Sequence, residues 1–372
     1  MDTFTSSGKS AVALLATGEP TSAHEQHVHK HLGTRIAALL GIEFAELRDA
    51  GQVIPPGLYV IPYTTLVAPQ PTISTDNDLF GGLVAQPFMA TKAISHPLVS
   101  DNATAPTGWT ERFMEVAGDV VLRGFSAFDV DDALRAGQIL LQQGPLRAKE
   151  VLGRAGRGQR VIQSVAELEA WLGQQNASLV RKDGVVLEQN LLSVKTYSVG
   201  QVRIAGITAS YFGTQNLTRA NDGEAVYGGS DLWLVRGDYA ALLQQMNEPL
   251  ARAAIRQAAL YEQAAEAAFP GFIASRRNCD VAVGIDPTGQ QRSGVLEQSW
   301  RIGGASSAEI HALEAFAADP TLQRLQASSW EAYGDTPIIP QGVSVLYLGD
   351  APSTGPITIG VRISPWQQPA KP

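Results

Sequence analysis

The sequence predicts a chain of mixed α/β and α+β class, with a small α/β domain at the front and further helices, strands and hairpins behind it. Three observations lead there. Residues 10–66 alternate a buried strand, a helical stretch and another strand. Residues 130–188 alternate amphipathic helices with short strands around a Gly-rich loop, and residues 279–300 and 344–363 each form two apolar runs about a polar turn. With 372 residues, 44% hydrophobic and 17% charged, the chain is long enough for two or three globular domains. A net charge of -8 and a pI near 5.3 argue against a nucleic-acid surface. The single cysteine, Cys279, excludes an intramolecular disulfide and a cysteine metal cluster, and fits a reducing, cytoplasmic setting. Beside Asp280 on an expected strand, it reads as a buried structural thiol rather than a nucleophile. The apolar run at 11–16 is too short to span a membrane.

In order along the chain, residues 10–18 read as a strand ending in Gly, residues 34–47 as a helix, and residues 58–66 as a strand after Pro55-Pro56-Gly57. Gly8-Lys9-Ser10 is no phosphate loop, because Thr3 stands where the first Gly belongs and the strand follows the triplet. His24, His27, His29 and His31 crowd the approach to the helix; Val28 replaces the Glu of a metalloprotease motif, so a solvated face is expected. A short helix at 91–94 carries Lys92, read from its position as a surface lysine. Asp129 opens an amphipathic helix to Gln142, and Gly144-Pro145 leads into a strand at 146–151. Ser164 and Glu167 form a capping box for the next helix. Residues 184–213 read as two or three strands, 213–237 as loop-rich, and 239–269 as one long Ala-rich helix. A helix at 306–318, with His311 on its polar surface, follows Gly303-Gly304; a terminal hairpin and a frayed tail at 366–372 close the chain. GGSDL at 228–232 lacks the final Gly of a serine nucleophile elbow.

Two stretches carry chemistry. Gly153, Gly156 and Gly158 alternate with Arg154, Arg157 and Arg160, and Lys149 precedes them; glycines allow close approach of backbone to ligand and the cations suit phosphates. The strand ending at Glu188-Gln189-Asn190-Leu191 offers backbone and apolar side chains to a purine edge, or else serves as a domain crossover. The second stretch is the hairpin at 279–300. A turn centred on Thr288-Gly289 sets Asp280 opposite Glu297, with Glu297, Ser299 and Arg301 on one face. Carboxylates facing each other repel unless a proton, an Arg or a cation lies between them, and Mg²⁺ with one or two protein carboxylates resolves the conflict.

The order of these parts, from Lys149 through the Gly-rich loop and Glu188 to Asp280 and Glu297-Gln298-Ser299-Trp300-Arg301, resembles the ATP-grasp superfamily over residues 91–312. GVLEQSWRIGGAS, YGGSDL and ATKAISHPL are similar to a bacterial ATP-grasp-like family designated DUF3182. The resemblance implies an N-terminal α/β domain at 1–90, an ATP-grasp domain at 91–312 with its small lobe at about 126–188, and a C-terminal helix and hairpin at 313–372 packed on the large lobe. It implies ATP and Mg²⁺ as cofactors. Lys149, and less directly Lys92, would meet the phosphates under the loop of Gly153, Gly156 and Gly158; Glu188, Gln189, Asn190 and Leu191 would meet the adenine; Asp280, Glu297 and Ser299 would carry the metal; and Arg301 would steady the transferred phosphoryl group. The implied activity is a carbon-nitrogen or related ligase joining a small-molecule carboxylate to a nucleophile through an acylphosphate, with a small-molecule kinase or a non-catalytic nucleotide binder as alternatives. No nucleic-acid or membrane partner is expected, and a homodimer is compatible. Two features depart from the superfamily pattern: Ser299 stands where Asn is usual, and Lys195 lies near the place of the usual ribose-side carboxylate.

Overall fold

The computed structural model of the chain describes residues 8–17, 21–49, 53–153, 158–352 and 354–369. The opening segment is β1 (Ala11–Ala16), α1 (Ala23–Leu40), β2 (Glu43–Asp49) and β3 (Leu58–Pro62), in a parallel sheet of order β2-β1-β3. Both faces of β1 are buried: Val12 and Leu14 pack with Leu32 and Ile36 of α1, while Ala13 and Leu15 pack with Ile54, Val60 and Leu79. A parallel strand covered on both sides reads as a continuous apolar run, as this one does. α1 starts earlier and ends sooner than the sequence reading placed it. Ser22 and Glu25 make a complete capping box, and Gly41, at φ 67°, stops the helix in the left-handed conformation that favours Gly. Residues 43–47, expected as helix, are strand. The four histidines therefore lie on the helix itself, where His27 edges onto Tyr347 and His31 stacks on His311.

β4 (Leu66–Val67) and β5 (Gly82–Val84) form a small second sheet, two 3₁₀ turns follow at Pro87–Ala90 and Lys92–Ser95, and α2 (Arg112–Ala117) leads into the small lobe. That lobe comprises β6 (Gly124–Ala127), α3 (Val130–Leu141), β7 (Leu146–Glu150), β8 (Gln159–Ile162), α4 (Val165–Leu172), α5 (Ala177–Asp183) and β9 (Val185–Gln189), with sheet order β6-β9-β7-β8. Its core joins Ala133, Ala136 and Leu140 of α3 to Leu146, Ala148 and Leu187 of the sheet and Leu168 of α4. The expected caps form: Asp129 accepts from the N–H of Asp131, and Ser164 from that of Glu167. Glu167 reaches back to the N–H of Gln163 rather than that of Ser164.

The large lobe holds β10 (Leu192–Ile204), β11 (Ile207–Arg219), β12 (Ala225–Arg236), α6 (Tyr239–Gln245), α7 (Pro249–Ala268), β13 (Ile273–Ala274), β14 (Arg276–Ile285), β15 (Gln291–Gln298), α8 (Ser306–Ala318), β16 (Arg324–Tyr333), β17 (Ser344–Ala351) and β18 (Gly355–Ser364). Among the described residues its main sheet has eight strands, in the order β15-β14-β10-β11-β12-β16-β18-β17, and β13 pairs with β5. α7 covers one face, and α8 with α1 the other. Three expectations fail here for physical reasons. The stretch at 213–237 is a long β-hairpin whose outer ends carry polar residues, so apolar alternation could not show it. The single long helix is two, because Glu248 caps a new start with Pro249 in its first turn, where Pro fits best. The tail is tied down at its start, where Trp233 Nε1 donates to the Gln367 carbonyl at 2.7 Å and Arg324 lies over the Trp366 ring, while residues 370–372 lie outside the described residues. No described helix is long and apolar enough to cross a membrane.

β14 is fixed to α8 by an ion pair in the interior. Arg276 donates through Nε and a terminal nitrogen to both oxygens of Glu309, at 3.0 and 2.8 Å, and the Tyr211 hydroxyl donates to the same carboxylate at 2.6 Å. Arg276 is 2% exposed and Glu309 0%. Glu309→Gln or Arg276→Met alone should destabilise by about 3–5 kcal/mol, because each strands a buried charge, whereas Arg276→Met with Glu309→Leu should cost less than the sum of the two. Urea unfolding of the three variants measures this.

Candidate functional site

The hairpin β14-β15 owes its register to its turn. Asp286 accepts from the N–H groups of Thr288 and Gln290, at 2.9 and 3.0 Å, and Gly289 takes φ 81°. Pairing runs from Ile285 with Gln291 to Val281 with Val295, then shifts by one residue, so that Leu296 is a bulge and Asp280 faces Glu297. One step further, Asn278 and Ser299 exchange both backbone hydrogen bonds, at 3.1 and 2.7 Å. Asp280, Glu297, Asn278 and Ser299 thus project from one face as two cross-strand pairs. Cys279 and Gln298 point to the other face, where Cys279 is fully buried and Burial drives its thiol pKa well up, as expected of a structural thiol.

Asp280 accepts from Ser198 Oγ at 3.3 Å and from Gln215 Nε2 at 3.0 Å. Burial, and then repulsion from Glu297, raise its pKa to about 6 against these hydrogen bonds and the charge of Arg276. Glu297 itself is met by Lys92 Nζ at 2.7 Å. Lys92 is only 4% exposed, which corrects its reading as a surface lysine. Its ammonium also donates to the Gly153 carbonyl at 2.9 Å, so one side chain joins the hairpin to the root of the Gly-rich loop. Gln298 holds the turn that carries it, donating to the carbonyls of Met89 and Thr91.

In the small lobe Lys149 Nζ lies 2.5 Å from Glu188 Oε1, and His96 Nε2 lies 3.1 Å from Glu188 Oε2. All three are buried. Burial alone would raise the Glu188 carboxyl, but Lys149 and then His96 outweigh it and hold its pKa down to about 2. Of the hinge backbone, the N–H of Gln189 is spent on the Arg123 carbonyl and that of Asn190 on the Pro145 carbonyl; Asn190 Oδ1 accepts from Arg147, and Leu191 is buried. Gly158 takes φ 68° and its carbonyl accepts from Glu150, while Gly156, Arg154 and Arg157 lie outside the described residues. Arg301 follows the hairpin and donates to the Ile302 carbonyl at 2.7 Å. Ser299 Oγ accepts from Arg276 at 3.2 Å.

Sequence reasoning missed His96, Ser198, Gln215 and Asn278. The last three sit on faces that elsewhere along the same strands carry core residues, as with Val202 on β10 and Tyr211 on β11, and a polar residue at the end of an inward-facing stripe was the signal available. His311 was read as polar surface; its ring is half-buried, hydrogen-bonded to the Ser307 carbonyl, and burial lowers its pKa to about 4.

The donor set suits a hard cation. Among the described residues no three His, Cys, Asp or Glu side chains gather as a metal site. Two facing carboxylates, one of them holding its proton unusually far up the pH scale and the other drawing a lysine, nonetheless call for positive charge. That fits Mg²⁺, which takes one or two carboxylates and fills its remaining positions with neutral oxygens, water and phosphate.

No curated protein matches the sequence. The profile of the family described as "Protein of unknown function (DUF3182)" matches residues 12–359. Among solved structures, the biotin carboxylase–β,γ-ATP complex from Campylobacter jejuni is similar with a TM-score of 0.50 and 10% identity, over 95% of this chain and 87% of that one. Phosphoribosylamine–glycine ligase from Thermotoga maritima is similar at 0.47 and 16%, covering 94% and 92%, and a D-cycloserine synthetase at 0.46 and 12%, covering 82% and 99%. The architecture is the ATP-grasp fold.

The repulsion at Asp280 has a pH signature. The folded chain binds its proton up to about pH 6 against a reference value of 3.8, so ionisation destabilises the fold progressively as pH rises through that window, fully above it and not below. In EDTA, Asp280→Asn should therefore be more stable than the parent by about 1–3 kcal/mol at pH 7.5, with the difference vanishing near pH 3.5. Urea unfolding across that pH range reads the effect.

Proposed function

The chain belongs to the family DUF3182, and from that premise we propose that it is an ATP- and Mg²⁺-dependent ligase that activates a small-molecule carboxylate as an acylphosphate and joins it to an amine or similar nucleophile. The observation that carries this reading is the facing pair Asp280 and Glu297, with Lys92 linking Glu297 to the Gly153 carbonyl at the root of the Gly-rich loop. Phosphoryl transfer asks a protein mainly for positioning and charge neutralisation, and these groups offer both.

In this reading Lys149, buried beside the hinge, and Lys92 bind the triphosphate, and the loop from Gly153 to Gly158 covers it. The purine lies against the hinge at 188–191, where the Gln189 and Asn190 N–H groups are already engaged, so recognition falls to carbonyls and to the apolar wall. Glu188 serves as the buried counter-ion that aims Lys149. Asp280 and Glu297, with Ser299 as the third position of the motif, would hold Mg²⁺, which when bound supplies neutralising charge at the phosphates. Arg301 faces the transferred group. A carboxylate oxygen of the substrate attacks the γ-phosphorus and ADP leaves; the nucleophile then attacks the acyl carbon, and inorganic phosphate leaves with the bonding pair of the C–O bond.

The test is a metabolite screen reading ADP or AMP release together with product mass. ADP with an amide or ester product supports the ligase; ADP with a stable phosphorylated product makes the protein a kinase. Lys149→Ala and Glu297→Gln should each lower turnover at least about 10²-fold with the circular dichroism spectrum unchanged, and parent-like turnover in both removes the site assignment. ATP with Mg²⁺ at about 100 times its dissociation constant should stabilise the fold by about 2–3 kcal/mol; no shift at millimolar ATP would remove nucleotide binding altogether.

A further inference from the structure

Four side chains share the face of the hairpin, and Asn278 has no part in the reading above. We propose that the side-chain amide oxygen of Asn278, rather than the hydroxyl of Ser299, completes the divalent-cation site of Asp280 and Glu297; this rests on the reading of a cation at those carboxylates.

Ser299 is poorly free to serve. Its Oγ accepts from the Arg276 guanidinium at 3.2 Å and its carbonyl from the same nitrogen at 3.0 Å. That guanidinium is held in place by Glu309 on its other side, at 3.0 and 2.8 Å. A divalent cation on Ser299 Oγ would sit against a fixed positive charge, which is unfavourable.

Asn278 meets the opposite conditions. It is the hydrogen-bonded cross-strand partner of Ser299 and stands two residues before Asp280 on β14, so it projects from the same face as both carboxylates. Its side chain is more than nine-tenths buried, and Nδ2 faces only the Tyr211 phenol oxygen, outside good hydrogen-bond geometry. Buried amides are rarely left half used. An amide oxygen on the cation would leave Nδ2 as a donor to an oxygen of the same ligand shell. Beside Asp280, Ser198 Oγ donates to the carboxylate and accepts from Gln215 Nε2, which itself donates to Asp280. With no third carboxylate, His or Cys gathered there among the described residues, a neutral oxygen must supply the next ligand.

The test uses Mn²⁺ as probe, its free concentration read by electron paramagnetic resonance, on the full chain stripped with EDTA, with and without a non-hydrolysable ATP analogue. Asn278→Ala should raise the Mn²⁺ dissociation constant at least about tenfold and Ser299→Ala should leave it within twofold. Asn278→Asp, which keeps the shape and adds charge, should retain or tighten Mn²⁺. Weakening by Ser299→Ala equal to or greater than that by Asn278→Ala overturns the assignment, as does no effect of Asn278→Ala, weakened Mn²⁺ in Asn278→Asp, or no Mn²⁺ bound by the parent in either state. Nucleotide binding is followed apart, as thermal protection by the analogue in EDTA. If it is intact while the Asn278 pattern fails, only this assignment falls; if it is absent while the Mn²⁺ pattern holds, the ligase reading falls and Asn278 stands.

Discussion

The contact between Arg276 and Glu309 sets the geometry on which the candidate site depends. Two charges without access to water are an expensive way to join a strand to a helix, and an apolar pair of similar volume would serve stability as well or better. What an apolar pair would not supply is direction. The guanidinium is planar and forked, so accepting it in two places fixes the rotation of α8 relative to β14, and the Tyr211 hydroxyl adds β11 to the same point. The remaining nitrogen holds Ser299 through both its carbonyl and its hydroxyl, so the end of β15 is pinned to the same ion pair. The face carrying Asp280 and Glu297 is therefore oriented from its own side by a group that touches neither carboxylate.

The two lobes meet this face through lysines. Lys149 stands on the small-lobe sheet and closes on Glu188, which also meets His96 of the connection before that lobe, and its position follows from the pairing of β7 with β9. Lys92 belongs to the connection before that lobe and touches both sides, Glu297 on the hairpin and the Gly153 carbonyl at the loop. Because a lysine ammonium is a compact point charge on a flexible stem, it can exchange a carboxylate for another anion without moving the backbone. The small-lobe lysine is thus fixed, while the connecting one can change partner.

How much of this was legible in the sequence varies with the physics of each part. Asp280 opposite Glu297 was read from a turn centred between Thr288 and Gly289. The strands near the turn pair about Thr288 instead, with Ile285 against Gln291, and the bulge at Leu296 restores the expected partner further along. The pairing at the site was right because a bulge, which no local pattern announced, offset a one-residue difference in the turn. The strand carrying Lys149 and the cap at Ser164 were legible because they depend on neighbours in sequence. Lys92 was not: its partner Glu297 lies more than two hundred residues away, and the turn that carries the lysine is held by the neighbouring Gln298, whose amide donates to the carbonyls of Met89 and Thr91. The helix at 34–47 and the loop at 213–237 failed in another way. In the first a left-handed Gly41 divides an apolar run between a helix and a strand, and in the second polar strand ends carry no hydrophobic period.

Charge pairing explains why the site should want a divalent rather than a monovalent cation. Arg276 is matched by Glu309 and Lys149 by Glu188, each pair closed at hydrogen-bonding distance. On the hairpin face, Asp280 and Glu297 share the one ammonium of Lys92, and that ammonium reaches only Glu297. Asp280 is left with hydrogen bonds from two neutral side chains, Ser198 and Gln215, which soften the repulsion without cancelling it. Its carboxyl answers by keeping a proton to about pH 6. A proton relieves one carboxylate only and vanishes at neutral pH. In the proposed reading a small ion of two charges would relieve both carboxylates at once and free Lys92 for an incoming anion.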